Sequence, residues 1–291
     1  MTWATALTEY DRIRRIALRR PADSFVDQAR LDAEWRRLNY MAPPDIARAA
    51  EEHQRLEALL RELGAEIDYL PADPALTIDS IYVRDAAIVG PRGVILCSMG
   101  KPDRRGEPGV AGAAFKRLGL PIAGAIEGKG RLEGGDLVWF DDRTLAIGHT
   151  YRTNDDGIRQ LRALVGRDVE VVVADMPHYR GPADVFHLMS VLSPIDRDLV
   201  LVYSPLMPIR FRDWLIARGI RLVEVPDQEF DSMGCNVLAI APRRCVMLAG
   251  NPRSRALLQA AGAEVIEIAG EEISAKGQGG PTCLTRPLLR G

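Results

Sequence analysis

The chain has 291 residues, of which 47% are hydrophobic and 27% charged; that is enough apolar material for a sizeable core and excludes a disordered polymer. Its 38 basic and 40 acidic residues leave a net charge of -2, so no nucleic-acid or anionic-membrane partner is expected. No run of about eighteen apolar residues is present, and Glu9, Asp11, Arg12, Arg14 and Arg15 occupy the place of an apolar leader core, so the expected setting is cytoplasmic.

In chain order, residues 12–18 fit a strand or a short helix, and 19–44 read as an irregular cover. Residues 45–63 carry Ile46, Ala49, Ala50, His53, Leu56, Leu59, Leu60 and Leu63 at helical spacing, with His53 expected on the helix surface. Gly64 stops this helix, and 66–70 read as a strand. A unit then recurs. Strand 81–89, turn 91–93, strand 94–98 and a helix around 109–118 make the first. The second runs through strand 136–140, turn 141–143, strand 145–148, helix 155–164 and strand 169–173. The third uses 187–192, 194–197, 199–203, 209–217 and 222–225. The fourth uses 236–240, 242–244, 245–248, 254–261 and 265–268. Residues 282–288 open a fifth, which the N-terminal helix and 66–70 complete.

A period of roughly fifty residues with this content is a repeat signature. It predicts an α/β fold, a closed five-fold pseudosymmetric ring of ββαβ modules forming a single domain over 1–291. Helices lie outside and first strands meet at one axis, which removes exposed sheet edges.

The glycine-rich tail 276–288 delivers Cys283 onto what reads as the start of a strand. Asp85 falls in the first strand of module one, Glu133 and Asp136 at the start of module two, and His187 at the start of module three. Equivalent points of a ring converge on one end of its axis, so two or three carboxylates, an imidazole and a thiol are expected in one funnel. His53, His149 and His178 lie away from those points, and Cys235 and Cys245 sit in apolar contexts that read as core. The four cysteines, at 97, 235, 245 and 283, lack C-x-x-C spacing and no two histidines have ligand spacing, so free thiols, no metal and no cofactor are expected. Thiolate, imidazole and paired carboxylates fit attack by sulfur on the central carbon of a guanidinium, with the acids holding the substrate charge.

At these residues the chain resembles the guanidino-group-modifying, or pentein, superfamily, which includes dimethylarginine dimethylaminohydrolases, arginine deiminases and amidinotransferases. The resemblance covers about residues 66–291. Leu70-Pro71-Ala72-Asp73 with Asp79 and Asp85 is similar to a dimethylargininase substrate-contacting segment. Pro102-Asp103-Arg104-Arg105-Gly106-Glu107 resembles a loop whose first arginine, here Arg104, binds the substrate carboxylate. Leu132-Glu133-Gly134-Gly135-Asp136 matches a motif whose first acid works with the histidine. Tyr151-Arg152-Thr153-Asn154 resembles a turn whose arginine, Arg152, also holds the carboxylate. His187-Leu188-Met189-Ser190 is similar to the histidine motif, and Gly279-Gly280-Pro281-Thr282-Cys283 to a deiminase tail.

The resemblance implies Cys283, His187 and Glu133 as catalytic, and Asp79, Asp85, Arg104 and Arg152 as substrate-binding. Two positions depart from it: Arg84 stands where dimethylargininases carry a glutamate, and Met189 where deiminases carry an aspartate. The reading is a cofactor-free cysteine hydrolase of an arginine-like guanidino compound, with a small-molecule substrate as partner and a homodimer left open. The alternatives are an arginine deiminase, an amidinotransferase or a non-catalytic binding ring.

Overall fold

The computed structural model describes residues 7–291, which form five three-stranded sheets. Each sheet has the same plan. The first strand pairs antiparallel with a central strand, and a helix then carries the chain to a third strand parallel to the centre. Module one contains Ala87–Gly90, Gly93–Leu96, helix Glu107–Arg117 and Ile122–Ala125. Module two contains Leu137–Asp141, Thr144–His149, helix Asp155–Val165 and Glu170–Asp175. Module three follows with Leu192–Asp196, Leu199–Val202, helix Ile209–Ala217 and Arg221–Glu224. Module four has Leu238–Ala241, Arg244–Leu248, helix Pro252–Ala260 and Glu264–Ile268.

The fifth module is split across the two ends of the chain. Ile13–Leu18 is its central strand, antiparallel to Arg286–Arg290 and parallel to Glu66–Tyr69 after helix Ile46–Glu62. The register places Ile16 between Pro287 and Ile67. Closure follows, because Arg286–Arg290 packs on Ala87–Gly90 of module one and helix Ile46–Glu62 packs on Glu264–Ile268 of module four. Central strands such as Leu199–Val202 are buried along their whole length, as a strand covered on both faces requires. Among the described residues no helix is long and apolar enough to cross a membrane.

Residues 12–18 take the strand form of the two expected, as Ile13–Leu18. The stretch 19–44 and His53 need correction: the stretch is more regular than an irregular cover, with helices Pro21–Ser24 and Gln28–Glu34. The second is capped by Asp27, whose side chain accepts from the Arg30 amide at 2.8 Å. His53 is buried, with Nδ1 2.9 Å from Oε1 of Glu57 one turn on.

The most consequential correction concerns the first strands, which begin later than the alternation of residues suggests. Asp85, Glu133, His187 and Cys283 all sit in tight bends just before them. Local hydrogen bonds close these bends, such as Asp136 N to Glu133 O at 3.1 Å, Ser190 N to His187 O at 3.0 Å and Cys283 N to Gly280 O at 3.0 Å. A side chain in a bend is released from the period-two alternation of a strand, so several from one module face the axis together.

Candidate active site

The bends surround a cavity of about 220 Å³ whose wall includes Asp79, Tyr82, Asp85, Lys101, Arg104, His187 and Cys283. Glu133 stands behind His187. Its Oε2 is 2.8 Å from the imidazole Nε2, and its Oε1 accepts from the amides of Gly100 at 2.8 Å and Lys101 at 3.2 Å. Asp136 ties the same seam together: Oδ2 accepts from Thr150 at 2.8 Å and Thr153 at 2.6 Å, and Oδ1 from the Leu188 amide at 3.0 Å.

His187 presses against Gly135. A Cβ there would lie 2.5 Å from the imidazole Nδ1 and 2.9 Å from Oδ1 of Asp85, so only glycine leaves the ring its place. Burial alone would lower the imidazole pKa, but Asp136, Asp85 and Glu133 reverse that and hold the ring protonated above its ordinary range. Burial works to raise Glu133, yet the hydrogen bond and charge of His187 outweigh it and keep the carboxylate ionised. Asp136 is pushed up to about 6 by burial, against the pull of His187 and its donors.

Cys283 is the half-buried member of four free cysteines; the other three are buried. Its Sγ accepts from Nδ2 of Asn236 at 3.2 Å. Burial and then the charge of Asp85 push its thiol up to about 11, against the Asn236 hydrogen bond. Burial takes Cys245 to about 12 and raises Cys97 and Cys235 further. The tail reaches this position because Gly279 lies on the face of Tyr82, where a Cβ would meet the ring Cε1 at 2.5 Å.

Two charged pairs complete the cavity wall. Arg104 is buried and bonded to Oδ2 of Asp85 at 2.7 Å, to both oxygens of Glu107 at 2.8 Å and to the Tyr82 carbonyl at 2.8 Å. Lys101 Nζ lies 2.6 Å from Oδ2 of Asp79 and donates to the Leu38 carbonyl at 3.0 Å. One atom each of Asp85, Glu133 and His187 falls within 4.8 Å of the others, a buried set in which two carboxylates flank the imidazole.

The family model for eukaryotic N,N dimethylarginine dimethylhydrolase matches residues 31–290. The chain belongs to this family. A dimethylarginine dimethylaminohydrolase of Pseudomonas aeruginosa is 28% identical over 276 residues, covering 94% of this chain and 98% of the relative. One from Streptomyces coelicolor is 30% identical over 240 residues, covering 80% and 84%. A solved structure of the Pseudomonas aeruginosa enzyme, a cysteine-to-serine variant complexed with citrulline, superposes with a TM-score of 0.75 at 26% identity, covering 96% of this chain and 100% of that one. The dimethylarginine dimethylaminohydrolase family acts on C–N bonds in linear amidines, and this chain is a hydrolase of that class.

Against the family pattern, the structure gathers Asp79, Asp85, Arg104, His187 and Cys283 into the cavity, with Glu133 directly behind. Arg152 stands apart from the wall. Its Nη2 donates to the carbonyls of Ala183 at 3.3 Å and Asp184 at 3.2 Å, so it braces the loop at the mouth. The two departures, Arg84 and Met189, touch each other: Arg84 Nη2 lies 3.3 Å from Met189 Sδ and 2.6 Å from Oε2 of Glu9.

Sequence reasoning missed Asn236, Lys101 and the Glu9 pairing. Asn236 had a readable signal, because it occupies in module four the bend that Asp85, Glu133 and His187 occupy in theirs. Lys101 and Glu9 had none, since their partners come from distant stretches.

Proposed function

We propose that the chain hydrolyses the terminal C–N bond of an N-substituted, arginine-like guanidine through a covalent adduct on Cys283. The observation that carries this is the 2.8 Å His187–Glu133 pair opening onto the cavity that holds the half-buried thiol. The guanidinium lies against Asp85, which Arg104 holds in place. Its charge also prepares the nucleophile: a cation about 4 Å from the sulfur favours the thiolate by about 4 kcal/mol at an effective dielectric near 20, which brings a thiol at about 11 toward neutral pH.

The sulfur then bonds to the central carbon. His187, held as imidazolium by Glu133, gives its proton to the departing nitrogen. The C–N bond breaks, leaving an S-alkyl thiouronium. His187, now neutral, takes a proton from water as the oxygen adds to the same carbon, and collapse releases the ureido product and the thiol. With dimethylarginine this gives citrulline and dimethylamine.

The Asp79–Lys101 pair offers an anion and a cation side by side, the complement of an α-ammonium and an α-carboxylate. Arg104 stands between that pair and Asp85, and Arg152 acts through the loop it braces. The test is a panel of arginine, N-methylated arginines, simple guanidines and the decarboxylated agmatine, assayed for ureido product and released amine with and without an added acceptor amine. Ureido product and amine in equal amounts are expected. A guanidino product carrying the added amine would make the chain a transferase, and no turnover of any member would overturn the proposal.

A further inference from the structure

Cys283 and His187 each also line a second cavity, of about 80 Å³, whose wall does not include Asp79 or Lys101. That is several times the roughly 10–15 Å³ one water needs. Tyr179, Phe186, Met189, Phe230 and Met233 give its wall more apolar than polar surface, beside Arg84, Asp184 and Thr282. Tyr179 anchors the group, its ring centroid 5.3 Å from that of Phe186 and 6.1 Å from that of Phe230. We propose that this lobe receives the substituent on the departing nitrogen, and that the preferred substrates are arginine-like guanidines bearing an apolar alkyl or aryl group larger than methyl. The inference rests on the hydrolase reading above and adds to it the class of leaving amine.

The placement follows from the order of groups. The amino-acid end goes to the Asp79–Lys101 pair, so the guanidinium carbon sits by Cys283 at the junction of the two cavities. The nitrogen that leaves must meet His187, and whatever it carries extends into the second lobe. An unsubstituted nitrogen would bring N–H donors there, where the acceptors left to it are the side chains of Asp184 and Thr282 and not the aromatic wall. Met189 sulfur is a weak acceptor and already faces Arg84 Nη2 at 3.3 Å. Arg84 itself presents only donors. Asn236 spends its Oδ1 on the Thr282 amide at 3.1 Å and its Nδ2 on Cys283, and Asp231 at the rim holds Arg180 at 2.8 Å. An apolar substituent removes a donor and covers the aromatic wall, each buried methylene being worth about fourfold in binding.

Atoms balance as in any such hydrolysis. Water supplies the carbonyl oxygen and two protons, the substituted amine leaves with its C–N bond broken, and the thiol is regenerated. No oxidant or cofactor enters.

The experiment is a kcat/KM series on L-arginine and its Nω-methyl, Nω-butyl and Nω-benzyl derivatives, reading citrulline and amine. The expected order places arginine last and raises butyl or benzyl at least about tenfold over methyl, from three added methylenes at fourfold each with incomplete burial. A maximum at methyl or arginine, with butyl and benzyl falling, would overturn the inference and leave the hydrolase reading intact. Failure on every member would remove both.

Met189→Asp supplies an acceptor for a free N–H and should move the arginine-to-butyl ratio at least about tenfold toward arginine. An unchanged ratio in a variant with a normal melting curve would contradict the role given to this lobe. Tyr179→Ala, at a half-exposed position, gives an independent reading: the butyl-to-methyl ratio should shrink, and a ratio equal to wild type would again contradict it.

Discussion

Glu133, behind His187, and Cys283, on the cavity wall, belong to one site, yet they are held there by different means. Both oxygens of Glu133 are engaged, by His187 and by two backbone amides, and neighbouring Asp136 takes three donors of its own. This seam between modules two and three is a closed polar network, rigid because every buried acceptor is satisfied. The thiol side has little of that. Cys283 Sγ has Asn236 as its hydrogen-bond partner, and its position comes from glycine backbone packed on Tyr82. Glu133 is fixed by what it bonds to, and Cys283 by the absence of side chains that would push it away. Substitutions on the two sides should therefore fail differently.

The largest effect belongs to Cys283→Ser. An alkoxide is far harder to form than a thiolate, so kcat should fall at least about a thousandfold, some 4 kcal/mol of barrier. The melting temperature should stay near wild type, because the sulfur has so little bonded to it. Retention of more than about a tenth of the rate, by the same arithmetic, would move the nucleophile elsewhere.

Glu133→Gln comes next, with kcat down about a hundredfold or more and KM changed less, since the carboxylate matters most as His187 transfers its proton. The pH profile carries a further sign. The carboxylate raises the imidazolium pKa, so its loss should make the rising limb of kcat/KM level off at lower pH. A limb that stays in place would show that His187 is not the group titrating.

Gly135→Ala breaks the same side by crowding alone. The new methyl would displace His187 and lower kcat by about tenfold or more, as small misplacements of catalytic groups do. Thermal melting and circular dichroism establish whether the seam survives.

Asn236→Ala, on the thiol side, should cost about tenfold in kcat/KM at pH 7, the worth of one hydrogen bond to a charged group. The Asn236 bond lowers the thiol pKa, so without it kcat/KM should fall by the same factor all along its rising limb. In the wild type, a thiol at about 11 beside an imidazole held protonated means that the free enzyme at pH 7 is mostly thiol and imidazolium. Its kcat/KM should therefore rise with pH through the neutral range as the small thiolate fraction grows, and level off once the imidazolium begins to be lost. A flat profile from pH 6 to 9 would contradict this.

The same contrast explains what the sequence made legible. The repeat was readable because strand, turn, strand and helix each leave a local pattern, and the split fifth module followed from counting. The gathering of Asp85, Glu133, His187 and Cys283 was readable from their equivalent places in the repeat. The bends were not, because an apolar residue before a strand extends the same alternation whether or not the backbone is still turning. Contacts between distant residues were also hidden. Glu9 meets Arg84 across 75 positions and Arg84 meets Met189 across 105, and no local pattern announces either. Arg152 shows the opposite limit: its motif was visible, but only the fold shows that its guanidinium braces the 183–184 backbone at the cavity mouth.

The most direct test of the central claim is mass spectrometry of His187→Ala quenched after mixing with an S-alkyl isothiourea analogue of arginine. Its thiolate leaving group needs little protonation, so the adduct should form and then persist without the imidazole to activate water. The account predicts one added amidine mass per chain, on the peptide that contains Cys283. An increment on a peptide containing Cys97, Cys235 or Cys245 would contradict it, as would turnover of the analogue with no covalent mass at any quench time.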